Sequence, residues 1–440
     1  VGEMARTTTA AAALLPRSVA RSDGAEPNGR GKRSPPVDLK GFTDSGVLGP
    51  AARLGCALLI LVGFALIALA PGLHRPKGKG LCPGSATGYA LAVDLLANGP
   101  FSEEHWDYFV EADPTGGPTA YLNRSTAVED GLILQGNGWT TLRTGKVQKG
   151  MRQSVRLQSR LAWKEFLLEF SYSQVPHGCG VWPALWLQCA NESVCKPWPV
   201  NGEIDLLEYA NEFYSKSSLH LGRDAKCILN HTMLSECGPF MDKNSMHYNC
   251  ATDYFTFPPK YGCAPNRDDT WPAPKQLNAR PSTLVAEWTQ DAVKLWNFPY
   301  DDLPADLLAQ SPEPRGWGPK YLWSYYPLAW SHCPSQSDLR PLNVILNIAF
   351  CGDWAGGDWT RVHDDGSAQS PWWWAKTHLL GQGVTCASLH GMAGRTNNRE
   401  ACNAFVLSDK ADAMLSHDSR FNISSFRVYE KQRVHNTMDS

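Results

Sequence analysis

Charge is scarce in this chain of 440 residues: Asp, Glu, Lys and Arg together make up 19%, and the formal net charge is −2. A nucleic-acid partner would need a basic footprint. The few basic runs sit near the N-terminal end and flank an apolar segment. No Cys-x-x-Cys pair occurs and no Cys/His spacing matches a zinc site, so a zinc module is set aside. G-x-S-x-G and H-E-x-x-H are missing too, and the 12 histidines are scattered, which leaves the serine and metal hydrolases without support. No internal repeat is visible. Helical patterning is thin, with Asp302 to Gln310 reading as one short turn.

Tryptophan is plentiful by contrast. There are 17, many beside Gly, Pro or another Trp, as in Trp372-Trp373-Trp374. Large flat rings suit sandwich cores and also suit stacking on sugar rings. Hydrophobic residues reach 43%, enough for a sizeable core in one large domain or two ordinary ones.

Leu54 to Leu73 is a run of 20 residues without a charge, about the length that spans a bilayer as a helix. It is longer than a usual signal-peptide core and 53 residues precede it, so it reads as an uncleaved signal anchor. Flanking charge does not set its orientation: Arg33, Lys40 and Arg53 lie before it, Arg75, Lys77 and Lys79 after it. Cysteines decide. Of 13, one, Cys56, lies inside the run, and the other twelve follow it. An even dozen on one side reads as disulfides in an oxidising compartment. The sequons at Asn123, Asn191, Asn230 and Asn422 fall on the same side. The expectation is a single-pass type II membrane protein with an extracellular or lumenal catalytic domain. Residues 1–53, rich in Ala, Gly, Pro, Ser and Arg, read as a disordered cytoplasmic tail. Residues 74–88 read as a linker, 89–431 as the folded domain and 432–440 as a tail. The first residue is Val, not Met, which leaves the natural start open.

The folded part is mostly β in pattern. Ser154 to Ser159 alternates with period 2, Phe166 to Tyr172 reads as a buried strand, and Leu284 to Trp296 holds two strand-like pieces around a polar turn. Leu342 to Phe350 reads as a core strand, and Ser425 to Tyr429 closes the domain. Many short strands with frequent turns predict an all-β sandwich. The stretch from Ala225 to Pro274, rich in Cys, Asn, Pro and Asp, reads as a disulfide-tied loop region.

Chemistry concentrates in Asn201-Gly202-Glu203-Ile204-Asp205-Leu206-Leu207-Glu208. Side chains alternate faces along a strand, so Glu203 and Asp205 share one face. Glu208, an odd number of positions further, would face the other way unless a β-bulge at Leu206-Leu207 absorbs one residue. Three carboxylates on one face resist joint ionisation, so at least one should hold a proton. A protonated and an ionised carboxyl roughly 5–5.5 Å apart are what a retaining glycosidase uses. The competing reading is a solvated acidic strand, or an amphipathic helix with both glutamates on its surface. Just upstream, Gly178 to Trp186 (GCGVWPALW) is a Gly/Trp-rich segment that could floor a sugar subsite.

GCGVWPALW and NGEIDLLE together resemble glycoside hydrolase family 16, especially the secreted fungal endo-1,3(4)-β-glucanases and laminarinases. Asp113 to Gly117, Arg152 to Arg156, Ser217 to His220, Glu287-Trp288-Thr289, Pro299, Pro304, Trp317-Gly318 and Phe350 to Gly356 agree in the family's order. The resemblance implies a β-jelly-roll sandwich with a concave substrate cleft. It makes Glu203 the nucleophile, Glu208 the general acid/base and Asp205 the carboxylate that orients the nucleophile. Trp182, Trp186, His220, Trp288 and Trp354 fall where the family lines its sugar subsites. The expected activity is retaining endo-hydrolysis of β-1,3 or mixed β-1,3-1,4 glucan by a monomer without a cofactor; a structural Ca²⁺ suits the fold, with no ligand set assigned. A transglycosylase would share every catalytic residue, and a non-catalytic glucan receptor would be expected to lack them. The expanded 225–274 region and the PWWW insertion within 357–387 depart from the family and bear on cleft shape.

Overall fold

In the computed structural model, the described residues are 82–86, 88–190, 193–238, 248–257, 259–265, 272–333, 341–362, 383–392 and 394–431. They belong to one compact unit, Gly80–Ser440. The apolar run at 54–73, the tail before it, Asn191 and Trp372-Trp373-Trp374 lie outside the described residues. Among the described residues, no helix is long and apolar enough to cross a membrane.

Two antiparallel sheets dominate. The first runs, edge to edge, through Lys216–His220, Glu203–Glu208, Val181–Gln188, Leu342–Phe350, Arg156–Trp163 and Trp106–Tyr108. The second runs through Leu322–Tyr326, Val293–Pro299, Ser282–Trp288, Phe166–Gln174, Arg420–Lys431, Trp139–Arg143 and Ile133–Gly136, with Tyr89–Asp94 also paired to Arg420–Lys431. One hydrophobic cluster draws on both sheets. The period-2 rule shows in Leu342–Phe350: Val344, Leu346, Ile348 and Phe350 enter that cluster, while Asn343 and Asn347 point to the opposite face. Neighbouring strands repeat this with Leu185 and Leu187 inside and Trp186 outside, so the first sheet has an apolar back and a polar, aromatic front. That front is the floor of the site described below.

The strands follow the sequence pattern closely, with two differences. Ser154 to Ser159 is not one strand: Met151–Ser154 pairs in a small three-stranded sheet and Arg156–Trp163 joins the large one, with buried Val155 between them. Two helices, Asn398–Val406 and Asp409–Asp418, stand where little helix was expected. Each starts on a side-chain cap: Asn397 accepts from the Arg399 backbone N–H and Ser408 from that of Ala411. Their apolar faces are short, with Ala401, Cys402, Phe405 and Val406 buried from the first and Ala411 and Leu415 from the second.

Ten cysteines form five disulfides: Cys179–Cys386, Cys189–Cys195, Cys227–Cys333, Cys250–Cys263 and Cys351–Cys402. Cys179–Cys386 ties the short helix Cys386–His390 to the start of the strand at Val181, and Cys351–Cys402 ties the helix Asn398–Val406 to the end of the strand at Phe350. Of the other described cysteines, Cys82 and Cys237 are neighbours, with Cys82 Sγ 3.5 Å from the Cys237 carbonyl oxygen. The segment at 82–89 is held to the second sheet by polar contacts. Lys294 Nζ donates to the Cys82 carbonyl at 2.5 Å and to Ser85 Oγ at 2.7 Å, and Glu287 accepts from the Ala86 N–H and the Tyr89 hydroxyl. Of the described sequons, Asn123 is exposed, Asn230 donates to the Trp330 carbonyl, and Asn422 lies within the closing strand.

Trp288 belongs to this core. It is 1% exposed and packs edge-on against Phe166 at 6.0 Å. A ring with no open face cannot stack on a sugar, which removes Trp288 from the subsites expected from sequence. Trp288→Ala should lower unfolding stability in urea by about 3–5 kcal/mol. Trp354→Ala, which trims a half-buried ring, should cost clearly less; equal losses would contradict the burial of Trp288.

Candidate active site

Glu203–Glu208 is the second strand from one edge of the first sheet, and its ladder slips. Against Val181–Gln188, Asp205 pairs with Trp186 and Leu207 with Leu185, so Leu206 has no opposite number. Against Lys216–His220 the register slips again between Asp205 and Glu208. Leu206 and Leu207 are both fully buried. The strand thus places two successive apolar side chains in the core, and Glu208 returns to the face of Glu203 and Asp205.

Each carboxyl has its own partners. Glu203 Oε2 accepts from Trp198 Nε1 at 2.6 Å, and Glu208 Oε1 accepts from Trp182 Nε1 at 2.8 Å. Asp205, 1% exposed, accepts a short hydrogen bond from the Ser218 hydroxyl, and His220 Nε2 lies 3.2 Å from it. The other nitrogen of His220 is 3.1 Å from Thr252 Oγ1, so the ring is held on both sides. Burial, then the charges of Asp205 and Glu208, push the Glu203 carboxyl well above the usual range; the Trp198 hydrogen bond opposes this. Burial and the charge of Asp205 do the same to Glu208, against the Trp182 hydrogen bond and the charge of Lys216. Glu203 and Glu208 therefore hold their protons to higher pH than ordinary carboxyls do. Two such carboxyls on one strand can divide the roles of acid and nucleophile.

Ligand atoms of Glu203, Asp205 and His220 all lie within 4.8 Å of one another, so these three could hold a cation. Such an ion would occupy Glu203 and Asp205 and leave Glu208 outside its ligand set.

The aromatic residues divide. Trp182 lies half-buried beside Glu208 and meets Trp354 edge-on at 5.5 Å. Trp354 rides on the short helical turn Gly352–Gly356, directly after the core strand. Trp186 donates to Asn347 Oδ1 at 2.8 Å and lies under the Arg156 guanidinium at 5.1 Å. Trp182, Trp186, His220 and Trp354 thus gather around the carboxylates, and Trp288 does not. The DPTGG segment converges here as well. The Asp353 N–H donates to the Thr115 carbonyl, and a Cβ on Gly117 would stand 1.9 Å from the Phe350 carbonyl oxygen. Only glycine permits that approach.

Sequence reasoning did not single out Trp198, Asn347 or Arg156 as site residues. Trp198 lies five positions before Glu203, and no local pattern tells a ring that caps a carboxylate from one that fills a core. Asn347 could have been found as a polar residue inside an otherwise apolar strand.

Residues 106–372 match the family model described as the XgeA-like, catalytic GH16 domain. The chain belongs to glycoside hydrolase family 16. It is 29% identical over 285 residues to an endo-1,3(4)-beta-glucanase of Arthroderma benhamiae, covering 63% of this chain and 57% of that one. It is 27% identical over 272 residues to the endo-1,3(4)-beta-glucanase xgeA of Emericella nidulans, covering 58% and 38%. The matches therefore span little more than half of the first relative and less of the second. Among solved structures, laminarinase 16A in a mutant described as cyclizing laminariheptaose matches with a TM-score of 0.55 at 24% identity. An elongating family 16 beta-1,3-glucosyltransferase matches with 0.56 at 20%. Each structural match covers 78% of this chain and all of the other. This family 16 chain shares their sandwich fold.

The raised carboxyls have a consequence for stability. An unfolded Glu208 loses its proton near the ordinary value of 4.5, whereas the folded one keeps it to higher pH. Over that window the unfolded state binds fewer protons, so folded stability falls as pH rises. Glu208→Gln lacks this term and keeps the Trp182 acceptor. Its Tm should exceed the parent's at about pH 7, with the gap closing toward about pH 4. A gap independent of pH would count against the raised carboxyl of Glu208.

Proposed function

We propose that this protein is a retaining endo-β-glucanase, hydrolysing β-1,3 or mixed β-1,3-1,4 glucan by double displacement. One observation carries the reading: the ladder slip at Leu206 gathers Glu203, Asp205 and Glu208 on one face, each with its own hydrogen-bond partner. The named activities of the relatives support the substrate class.

Glu208, kept protonated by burial and by Asp205, donates its proton to the glycosidic oxygen. Ionised Glu203 attacks the anomeric carbon, the C–O bond breaks and a glycosyl-enzyme forms. Deprotonated Glu208 then takes a proton from water, which attacks the same carbon and releases Glu203, so configuration is retained. Asp205, held by Ser218 and His220, lies beside Glu203 and fixes its direction. The Trp198 N–H stabilises the ionised nucleophile. Trp182 and Trp354 wall the groove beside the acid and limit access of water. The same residues would serve a transglycosylase in which a sugar hydroxyl replaces water; products formed at high laminarin concentration separate the two.

The membrane anchor at Leu54 to Leu73 is part of the proposal, supported by its uncharged length and by five disulfides beyond it. It places the catalytic unit outside the cytoplasm.

Glu203→Gln should lower kcat on laminarin by about a thousandfold or more while the urea midpoint does not fall. Turnover at the parent rate would remove Glu203 from the mechanism. The full chain should stay in the membrane pellet after alkaline carbonate extraction, and deleting residues 54–73 should release it. Recovery of the full chain in the supernatant would end the anchor reading.

A further inference from the structure

Next to the groove lies a row of exposed rings, of which the catalytic scheme uses only the indole N–H of the first. Trp198, which donates to Glu203, stacks on Tyr254 at 5.7 Å with an interplanar angle of 25°. Tyr254 in turn meets Tyr261 at 5.6 Å and 45°. The three are 36%, 38% and 60% exposed, rising with distance from the nucleophile.

The support beneath the row is stiff. Tyr254 and Tyr261 sit on the short hairpin Thr252–Asp253 and Lys260–Tyr261, closed by the Cys250–Cys263 disulfide. Backbone bonds stitch that hairpin to the edge strand of the catalytic sheet: Leu219 and Cys263 exchange both N–H···O bonds, at 2.9 and 3.0 Å. The Leu221 N–H donates to Cys250 and the Thr252 N–H to Leu221. Gly262 has φ of +83°, and a Cβ there would lie 2.7 Å from both the Leu219 carbonyl oxygen and His220 Nδ1. The hairpin backbone is therefore pressed against the residue that holds Asp205. It continues that sheet outward.

We propose that Tyr254 and Tyr261 form an aromatic platform that binds further glucosyl units of the chain being cleaved, beyond those at the carboxylates. The proposal rests on the glucanase reading above. Apolar rings in contact yet open to water are a binding surface by composition. A pyranose offers a flat C–H face to a ring and leaves its hydroxyls in water. The setting also favours a neutral ligand. Glu203, Asp205 and Glu208 all lie close enough for their charge, after burial, to raise the pKa of Tyr254. The same field repels an anionic chain. Continuity from Glu203 through Trp198 makes the occupant the substrate itself.

The test uses the full chain in three forms: parent, Tyr254→Ala/Tyr261→Ala, and Tyr254→Trp/Tyr261→Trp. Each is run on native gels containing laminarin and assayed on laminarin and on laminaritriose. The alanine pair should lose retardation by laminarin, and its ratio of kcat/KM for laminarin to that for laminaritriose should fall about tenfold. The tryptophan pair should restore both. A parent-like alanine pair overturns the platform. So does an equal loss on both substrates, because the rings would then act only through Trp198 on Glu203. If the parent turns over neither substrate, the glucanase reading fails instead. The gels still decide the platform: retardation of the parent that the alanine pair loses supports it, and an unretarded parent overturns it.

Discussion

A one-residue slip in a β-ladder is the constraint on which this molecule's chemistry depends. A regular strand would send Glu208 into the apolar layer, where an ionised carboxylate is expensive to bury. Skipping Leu206 in the pairing with Val181–Gln188 gives the core two adjacent leucines and gives the groove its third carboxyl. The core thereby enforces the site: a strand sliding back into register would have to move Leu206 or Leu207 into the groove and Glu208 into the hydrophobic cluster.

The remaining contacts keep three like charges tolerable at close range. Each carboxyl is met by a neutral donor or a ring nitrogen: the Trp198 and Trp182 indoles, the Ser218 hydroxyl and His220. Neutral donors stabilise a carboxylate without cancelling its field, so Asp205 still raises the pKa of both glutamates. The segments that supply these groups are anchored outside the strand. Trp198 follows the loop closed by Cys189–Cys195, and Trp354 sits beside Cys351, which is bonded to Cys402. Both segments are thus pinned near the groove, which keeps the indoles in place.

Much of the site was legible because it lies in one short stretch. Glu203, Asp205 and Glu208 span a single strand, and both their alternation and the need for a bulge follow from the period of a strand. The major strands were legible for the same reason, as in Leu342–Phe350, where local patterning and burial agree. The helices at 398–418 were less so, since their apolar faces are short and partly made of small residues. Trp288 misled because a family position names a residue without saying which way its ring turns.

By itself the sequence determined the family, since GCGVWPALW and NGEIDLLE carry its pattern together, whereas the carboxylate spacing alone left a solvated acidic strand open. It also determined the alternation that separates a core face from a groove face. Only the tertiary structure decided which rings meet those carboxyls. Trp182, Trp198, His220, Tyr254 and Trp354 arrive from separate strands, turns and loops, and their convergence depends on packing and disulfide closure over long stretches of chain. No local pattern encodes that, because a tryptophan reads alike in sequence whether it fills the core or caps a carboxylate.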